Sequence, residues 1–511
     1  MAEMQQVARL AEIAENRPFG VMLGDDSFVL IRNGSEVRAF SGKCPHAGAP
    51  LAEGAICNGR LICPWHKGSF AIADGRLLEP PPLESLRRYP TRIEGDAVLV
   101  SSEAEPPLPR TAAGSDHPVF VVIGAGAAGT AGACALREAG FAGRLVLIGP
   151  EAPYDRTVLS KFVVSGEMPA AETPLLRDDA TLAALAIERV VEKVARLDTT
   201  DQKVVLCKGQ AISFDAALIA TGGTPRRPDI PGASGPRVHV LRNREDAVAI
   251  HEALKAHGTV AHAVLLGGGF IGMEAASAFR TRGVAVTVVT SQSAPFAEQI
   301  GPAAGGRLLR LHEENGVTFR KARRAVAIAD GPQGATLTLD DGGSLTADLV
   351  LLGLGIRPRT EFVQGIALGN DGGLTVDAGL RAAPGIYAAG DIAAMPLHGE
   401  SRRIEHWRYA QQQARLAARN MLGAEISYDD VPFFWTQHYG HRVECLGDPR
   451  HWDEEIVLGD LGSLTFVVLL AKDGEVRAAV ACQRERAMAV LSDGLRRPLP
   501  VAEAQALIME C

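Results

Sequence analysis

The eight cysteines of this 511-residue chain are scattered, and no two stand at a C-x-x-C or C-x-x-x-x-C spacing. That excludes catalysis by a vicinal dithiol and the stapled framework of a small disulfide-rich fold. No run approaches the roughly 18 apolar residues of a membrane-spanning helix. The opening Met1-Ala2-Glu3-Met4-Gln5 carries an acid early and no apolar stretch, unlike a signal or transit peptide, so the cytoplasm is the expected compartment. Basic residues are outnumbered 52 to 60, for a net charge of −8 and a pI of about 5.9. Nucleic acid and anionic membranes, which favour basic patches, are therefore not expected partners. Aromatics are sparse at 5%, whereas glycine is plentiful at 55 residues, which suits tight turns. The remaining composition is that of an ordinary globular chain. At roughly 100–200 residues per domain, three to four domains are expected.

Residues 1–103 carry short alternating runs, such as 27–31 and 97–100, punctuated by Asn33-Gly34 and Glu94-Gly95-Asp96. That predicts a small all-β domain. Glu105-Pro106-Pro107-Leu108-Pro109 and Ala112-Ala113-Gly114-Ser115 make 104–116 a linker, stiff at first and looser after. From Pro118 a strand, a glycine turn and an Ala-rich helix follow one another, and the same unit recurs at 263–280. Two doubly wound α/β dinucleotide-binding domains are expected, one split into 117–241 and 366–429 around the other at 242–365. Phe433, Phe434, Trp435 and Tyr439, with strand-like runs at 464–470 and 476–481, mark an α+β domain over 430–511.

Cys44-Pro45-His46 is followed, sixteen residues on, by Cys63-Pro64-Trp65-His66. Two thiolates suit one iron of a 2Fe–2S cluster and two imidazoles the other. Zinc also accepts two Cys and two His. Zinc fingers, however, usually place Cys with Cys and His with His, whereas here each loop supplies one of each, which favours the iron cluster. Gly48, Pro50, Gly54, Gly68 and Phe70 around these loops resemble the Rieske pattern. High-potential members of that group carry an extra loop disulfide and hydroxyl donors, at places that look like Ala49, Trp65, Gly68 and Phe70 here. The resemblance thus implies a potential low in the Rieske range. Lys67 stands where the group often has Gly, and Cys57, off the motif spacing, reads as a packed thiol.

Gly124-Ala-Gly126-Ala-Ala-Gly129 follows the apolar run 119–123 and opens a helix, the context in which G-x-G-x-x-G cradles a pyrophosphate. Glu151, after the strand-like run 145–148, is the candidate acceptor for ribose hydroxyls. Gly267-Gly-Gly269-Phe-Ile-Gly272 repeats the fingerprint after 263–266. Its following run, 285–289, ends in Thr290-Ser291-Gln292-Ser293, with neither the acid of an NADH site nor an adjacent Arg for a 2′-phosphate. The choice between NADH and NADPH stays open.

Ala220-Thr221-Gly222 and Gly385-Ile-Tyr-Ala-Ala-Gly390-Asp391 complete, in order, the motif set of glutathione-reductase-type flavoproteins. Tyr154-Asp-Arg156-Thr-Val-Leu-Ser160-Lys161, Glu405-His406-Trp407, Gln411-Gln-Gln-Ala-Arg and Pro432-Phe-Phe-Trp435 resemble apoptosis-inducing factor and the ferredoxin reductases of aromatic-ring dioxygenase systems. With the N-terminal Rieske domain the whole chain resembles apoptosis-inducing-factor-like proteins. The resemblance implies FAD held by Gly124, Gly126, Gly129, Glu151, Arg156, Val194, Thr221, Gly222, Gly390 and Asp391. It implies NAD(P)H held by Gly267, Gly269, Gly272 and Gly355. Lys161 is implied near flavin N5, paired with Glu274, and these two are the candidate catalytic residues. Trp407 is implied among the cofactor-binding residues, and His406 and Trp435 near the isoalloxazine or at its exposed edge, though packing alone would also explain these last two.

A nicotinamide delivers two electrons as hydride, a Rieske cluster takes one at a time, and a flavin can do both. The expected function is a NAD(P)H oxidoreductase of ferredoxin-reductase type, passing electrons through FAD to its own Rieske cluster. The final acceptor would be an oxygenase component, a cytochrome or a ferredoxin. A redox-sensing flavoprotein of apoptosis-inducing-factor type, with slow turnover, is the alternative. A monomer or homodimer is expected.

Overall fold

The computed structural model describes residues 4–107, 117–257, 261–397 and 399–511. Most of the expected linker, 108–116, lies outside the described residues.

The N-terminal domain is all β. Strand Asp26–Asn33 divides its interior: Phe28 and Leu30 face a core with Ile13, Val98 and Val100, while Val29 and Ile31 face one with Phe40, Leu51, Phe70, Cys44 and Cys63. The period of two thus places both thiols over the second core. A small antiparallel sheet, Ala55–Cys57, Arg60–Ile62, Ser69–Ala71 and Leu77–Glu79, carries the second Cys-His loop.

The middle of the chain forms two doubly wound units. In the first, Val119–Ile123 is flanked by Arg144–Ile148 on one side and Ala216–Ile219 on the other, all parallel. In the second, His262–Leu266 lies between Ala285–Thr290 and Leu349–Leu352. Both central strands are topological switch points, where a crevice opens beyond the carboxyl ends. Their glycine turns lead into helices Ala127–Glu138 and Phe270–Thr281. The chain leaves the first unit by Val238–His239, which already pairs in the second sheet. It returns by Ile356–Pro358 and Val363–Gln364, which pair with Gly223–Pro225 and Val194–Asp198. Both crossings fall a few residues ahead of positions 242 and 365.

The C-terminal sheet runs, in spatial order, Phe433–His438, His441–Gly447, Glu475–Cys482, Thr465–Lys472 and Glu454–Asp460. Val468, Leu470, Val480 and Cys482 pack toward the nicotinamide-type unit, and Val467, Leu469, Ala479 and Ala481 toward helices Glu485–Gly494 and Val501–Met509. Burial on both faces explains the unbroken apolar runs.

The N-terminal domain sits directly on this frame. Lys67, φ 58° and 1% exposed, pairs with buried Glu444 at 2.9 Å. Glu79 gathers Arg60 at 2.7 Å, together with Arg408 and Arg496. Burial pushes the Glu79 carboxyl up, but Arg408, Arg496 and Arg60 outweigh it and hold it below the usual carboxylate range. Arg408 also donates to the carbonyls of Pro80 and Lys67, at 2.9 and 3.0 Å. Removing one partner of a buried ion network costs about 3–5 kcal/mol, because the others stay charged and unpaired. Glu79→Ala is therefore expected to lower the unfolding midpoint and make the N-terminal domain more susceptible to limited proteolysis. An unchanged midpoint and digest would show that the network does not hold the domain down.

Candidate active site

The two Cys-His loops meet tip to tip. The Cys44 N–H donates to the Ala49 carbonyl and the Cys63 N–H to that of Gly68, both at 2.8 Å. Gly68 is required by its surroundings: a Cβ there would lie 2.5 Å from Pro82 Cδ. His46 Nδ1 and His66 Nδ1 stand 3.1 Å apart, a span that fits two bonds of about 2.1 Å to one ion. The thiols of Cys44 and Cys63 form a second contact. That hydrogen bond, with help from the surrounding backbone N–H groups and Lys67, brings Cys63 down to about 7 against burial. The same contact and burial push Cys44 up. Among the described residues no three of His, Cys, Asp or Glu gather around a single ion position. The Cys44–Cys63 and His46–His66 contacts make a thiol pair and an imidazole pair, the donor set of a dinuclear iron–sulfur cluster.

A cavity of about 740 Å³ runs from the first glycine fingerprint to the second. Its wall includes Gly124, Gly126, Gly129's helix start at Ala127, Glu151, Arg156, Lys161, Val194, Thr221, Gly222, Gly390, Asp391, His406, Trp407 and Trp435. Toward the second unit it is lined by Gly269, Gly272, Glu274 and Gly355, whereas Gly129, inside helix Ala127–Glu138, and Gly267, just after strand His262–Leu266, do not line it. Gly124 has φ +111°, and a Cβ there would approach the Ala220 carbonyl oxygen to 2.3 Å. Nothing lies within 4 Å of a Cβ at Gly126, which leaves room for a ligand to touch backbone. Glu151 accepts from the Tyr154 hydroxyl at 2.8 Å and from Arg156 at 3.3 Å.

Two residues on this wall, Arg242 and Arg359, had no motif to announce them. Arg242 pairs with Asp391 at 3.1 Å. Arg359 is held low by burial and then by the like charges of Arg242 and Arg156. Three guanidiniums crowding one wall suit an anionic diphosphate. Phe434 stacks on His406 with centroids 4.3 Å apart, and the Trp407 indole N–H is buried with no partner among the described residues. This wall fits a large, planar, phosphorylated ligand such as FAD.

Lys161 and Glu274 do meet across the two units, at 3.0 Å. The lysine also donates to the Thr157 carbonyl at 2.9 Å. Ser160 donates to the same Glu274 oxygen at 2.5 Å, and Thr436 and the Gln437 N–H to the other at 2.8 and 3.1 Å. Four donors hold this carboxylate in one orientation. The cluster loops and the cavity wall meet at an aromatic contact. The His66 ring lies 4.2 Å, centroid to centroid, from Trp435, which lines the cavity. The loop that approaches a cluster thus touches the residue that borders the flavin-type cleft.

The family models agree in order along the chain: Rieske [2Fe-2S] domain over residues 3–90, pyridine nucleotide-disulphide oxidoreductase over 119–414 and reductase C-terminal over 433–507. The chain belongs to the pyridine nucleotide-disulphide oxidoreductase family. Within that family it is 32% identical to mouse apoptosis-inducing factor 3, over 93% of this chain and 81% of that protein. It is 34% identical to the biphenyl dioxygenase system ferredoxin–NAD(+) reductase component of Paraburkholderia xenovorans (strain LB400), over 73% of this chain and 91% of that protein. The crystal structure of the ferredoxin reductase for the CYP199A2 system from Rhodopseudomonas palustris superposes with a TM-score of 0.71 at 29% identity, covering 76% of this chain and 97% of that one. The family and the Rieske domain make this an FAD- and NAD(P)H-dependent oxidoreductase of ferredoxin-reductase type with its own 2Fe–2S domain. No helix among the described residues is long and apolar enough to cross a membrane.

The fold is expected to be acid-labile through imidazoles that their surroundings keep neutral. Burial holds His406 at about 4 and His438 at about 3, both below the 6.5 of a free histidine. As pH falls the unfolded chain takes up these protons first, so stability is full above about 6.5 and is lost toward the folded values. At about pH 5 each histidine costs roughly 2 kcal/mol. The thermal midpoint is expected to drop steeply between about pH 6.5 and 5, and less steeply in His438→Gln.

Proposed function

We propose that this protein takes hydride from NAD(P)H in the cleft and delivers the electrons singly, through its docked Rieske loops, to an external one-electron acceptor protein. When bound, FAD supplies the exchange between two-electron and one-electron chemistry, and the 2Fe–2S cluster supplies one-electron transfer. Cys44 and Cys63 would hold one iron, His46 and His66 the other. Gly124, Gly126 and Gly129 would admit the FAD diphosphate, with Arg156, Arg242 and Arg359 facing its charge. Glu151 would accept from ribose hydroxyls. Gly267, Gly269, Gly272 and Gly355 would receive the nicotinamide dinucleotide. Lys161 would place its ammonium where negative charge develops, held there by Glu274.

The observation that carries this reading is the 4.2 Å contact of His66 with Trp435. It supplies an exit from the cleft within one chain, with no need for the N-terminal domain to swing on its tether. Pro45, Ala47 and Gly48, on the other loop, are exposed and leave that side open to an acceptor. The ferredoxin–NAD(+) reductase name of the Paraburkholderia relative supports an acceptor of ferredoxin or oxygenase type. Trp435→Ala is expected to slow reduction of the cluster while NAD(P)H still reduces the flavin, and Trp435→Phe to restore most of the rate. Equal cluster-reduction rates in all three proteins would contradict this path.

A further inference from the structure

Glu274 is the inner end of a hydrogen-bonded chain that the cleft chemistry described so far does not use. Thr436 Oγ1 lies 2.8 Å from Glu274 Oε1 and 2.9 Å from His438 Nε2. His438 Nδ1 lies 3.0 Å from His312 Nε2, and His312 Nδ1 3.2 Å from the Tyr439 hydroxyl. Thr436, His438 and His312 are 0% exposed, whereas Tyr439 is partly exposed. We propose that Tyr439, His312, His438 and Thr436 form a proton relay between Glu274, in the wall of the cleft, and the protein surface.

The pattern of donors supports a relay rather than a packed pair of rings. Each of the four links can hold one hydrogen, and one assignment satisfies them all. Tyr439 O–H donates to His312 Nδ1, His312 Nε2–H to His438 Nδ1, His438 Nε2–H to Thr436, and Thr436 O–H to Glu274. The opposite tautomer of both rings reverses the whole array. Phe296 packs against both imidazoles, with centroids 6.2 and 5.9 Å away, and closes the side of the chain with apolar surface. Burial keeps both rings neutral, and the charges of Lys161 facing His438 and of His438 facing His312 push the same way, so either tautomer is available. Burial likewise keeps Tyr439 protonated, with Arg280 opposing, so its hydroxyl both accepts and donates. Gln437, between the two strand residues of the chain, donates only its backbone N–H to Glu274 and lies outside the relay.

The need for such a path follows from the proton count, and here the inference rests on the proposed function. Hydride carries two electrons and one proton into the cleft. Two one-electron acceptors take the electrons, and one proton remains. The balance is NAD(P)H + 2 oxidised acceptors → NAD(P)+ + 2 reduced acceptors + H+. That proton has to leave the cleft, against whose wall residue Trp435 the N-terminal domain places His66. Glu274, 3.0 Å from Lys161, can take it and pass it outward through Thr436, His438, His312 and Tyr439 to water. These four are positioning and relay residues, not groups that touch the nicotinamide or flavin.

The test uses the FAD- and cluster-loaded protein and follows proton release with a pH indicator dye. Protein reduced with dithionite is mixed with ferricyanide, so the relay is measured whether or not NAD(P)H is the natural donor. Tyr439→Phe, at a surface turn, and His312→Phe, in the core, are each expected to slow proton release by roughly tenfold or more. Added imidazole should restore the rate in Tyr439→Phe by carrying protons to His312. The solvent deuterium effect on release should be present in wild type and larger in Tyr439→Phe. His312→Phe guards against a local effect at the turn, and Tyr439→Phe against misfolding. Proton release at the wild-type rate in Tyr439→Phe, with no response to imidazole or deuterium, would overturn the relay. Failure of NAD(P)H to reduce either centre would instead count against the proposed function.

Discussion

Cys63→Ser is expected to leave NAD(P)H reducing the flavin at its normal rate while delivery to a one-electron acceptor collapses. Cys63 is 1% exposed and faces Cys44 across the loop junction, so no neighbouring side chain can take its place as a thiolate. Outer-shell changes at metal sites cost roughly 10–100-fold, and removal of a first ligand should exceed that. The cluster's EPR signal should disappear along with the activity toward the acceptor. The conservative swap removes one atom's chemistry and little volume, so the cleft should keep its FAD. Acceptor reduction that survived the loss of the EPR signal would mean that the acceptor is served at the flavin and that the N-terminal domain has another task.

Lys161→Met should have the largest effect on the hydride step itself. The lysine is held by the Thr157 carbonyl and by Glu274, and its side chain is 8% exposed, so its charge acts in a poorly solvated place. Removing a preorganised donor of this kind costs on the order of 10²–10³ in rate. Glu274→Gln should cost less. Glutamine can still accept from Thr436, and the Thr157 carbonyl still holds Lys161 near its position. The two effects should not add, because one residue acts through the other. Stopped-flow flavin reduction in the two single variants and the double variant separates the terms. Equal and additive losses would mean that the pair works as two independent groups.

Much of this architecture was legible in the sequence because its signals are local. An apolar run followed by closely spaced glycines leaves few alternatives to a strand, a turn and a helix, and both fingerprints fold that way. The Cys-x-His and Cys-x-x-His loops were legible for the same reason. Lys161 and Glu274 lie 113 positions apart and were joined only through the family resemblance, which the 3.0 Å contact matches. The docking of the N-terminal domain was not legible. Lys67, Glu79, Arg408 and Glu444 look like ordinary surface charges, and only the assembled chain shows each buried against the others. The same holds for Arg242 and Arg359, whose place on the cleft wall depends on where separate strands end. His312 and His438 carry no motif, because a relay is defined by distances between elements and not by spacing along one.

The central claim is that electrons pass from the cleft to the cluster inside one docked chain. Anaerobic stopped-flow mixing with NADH or NADPH, read at flavin and cluster wavelengths across a tenfold range of protein concentration, tests it most directly. The account predicts flavin reduction first and cluster reduction second, the second with a rate constant independent of protein concentration. A second phase that speeds up in proportion to protein concentration, or a cluster that stays oxidised, would contradict it.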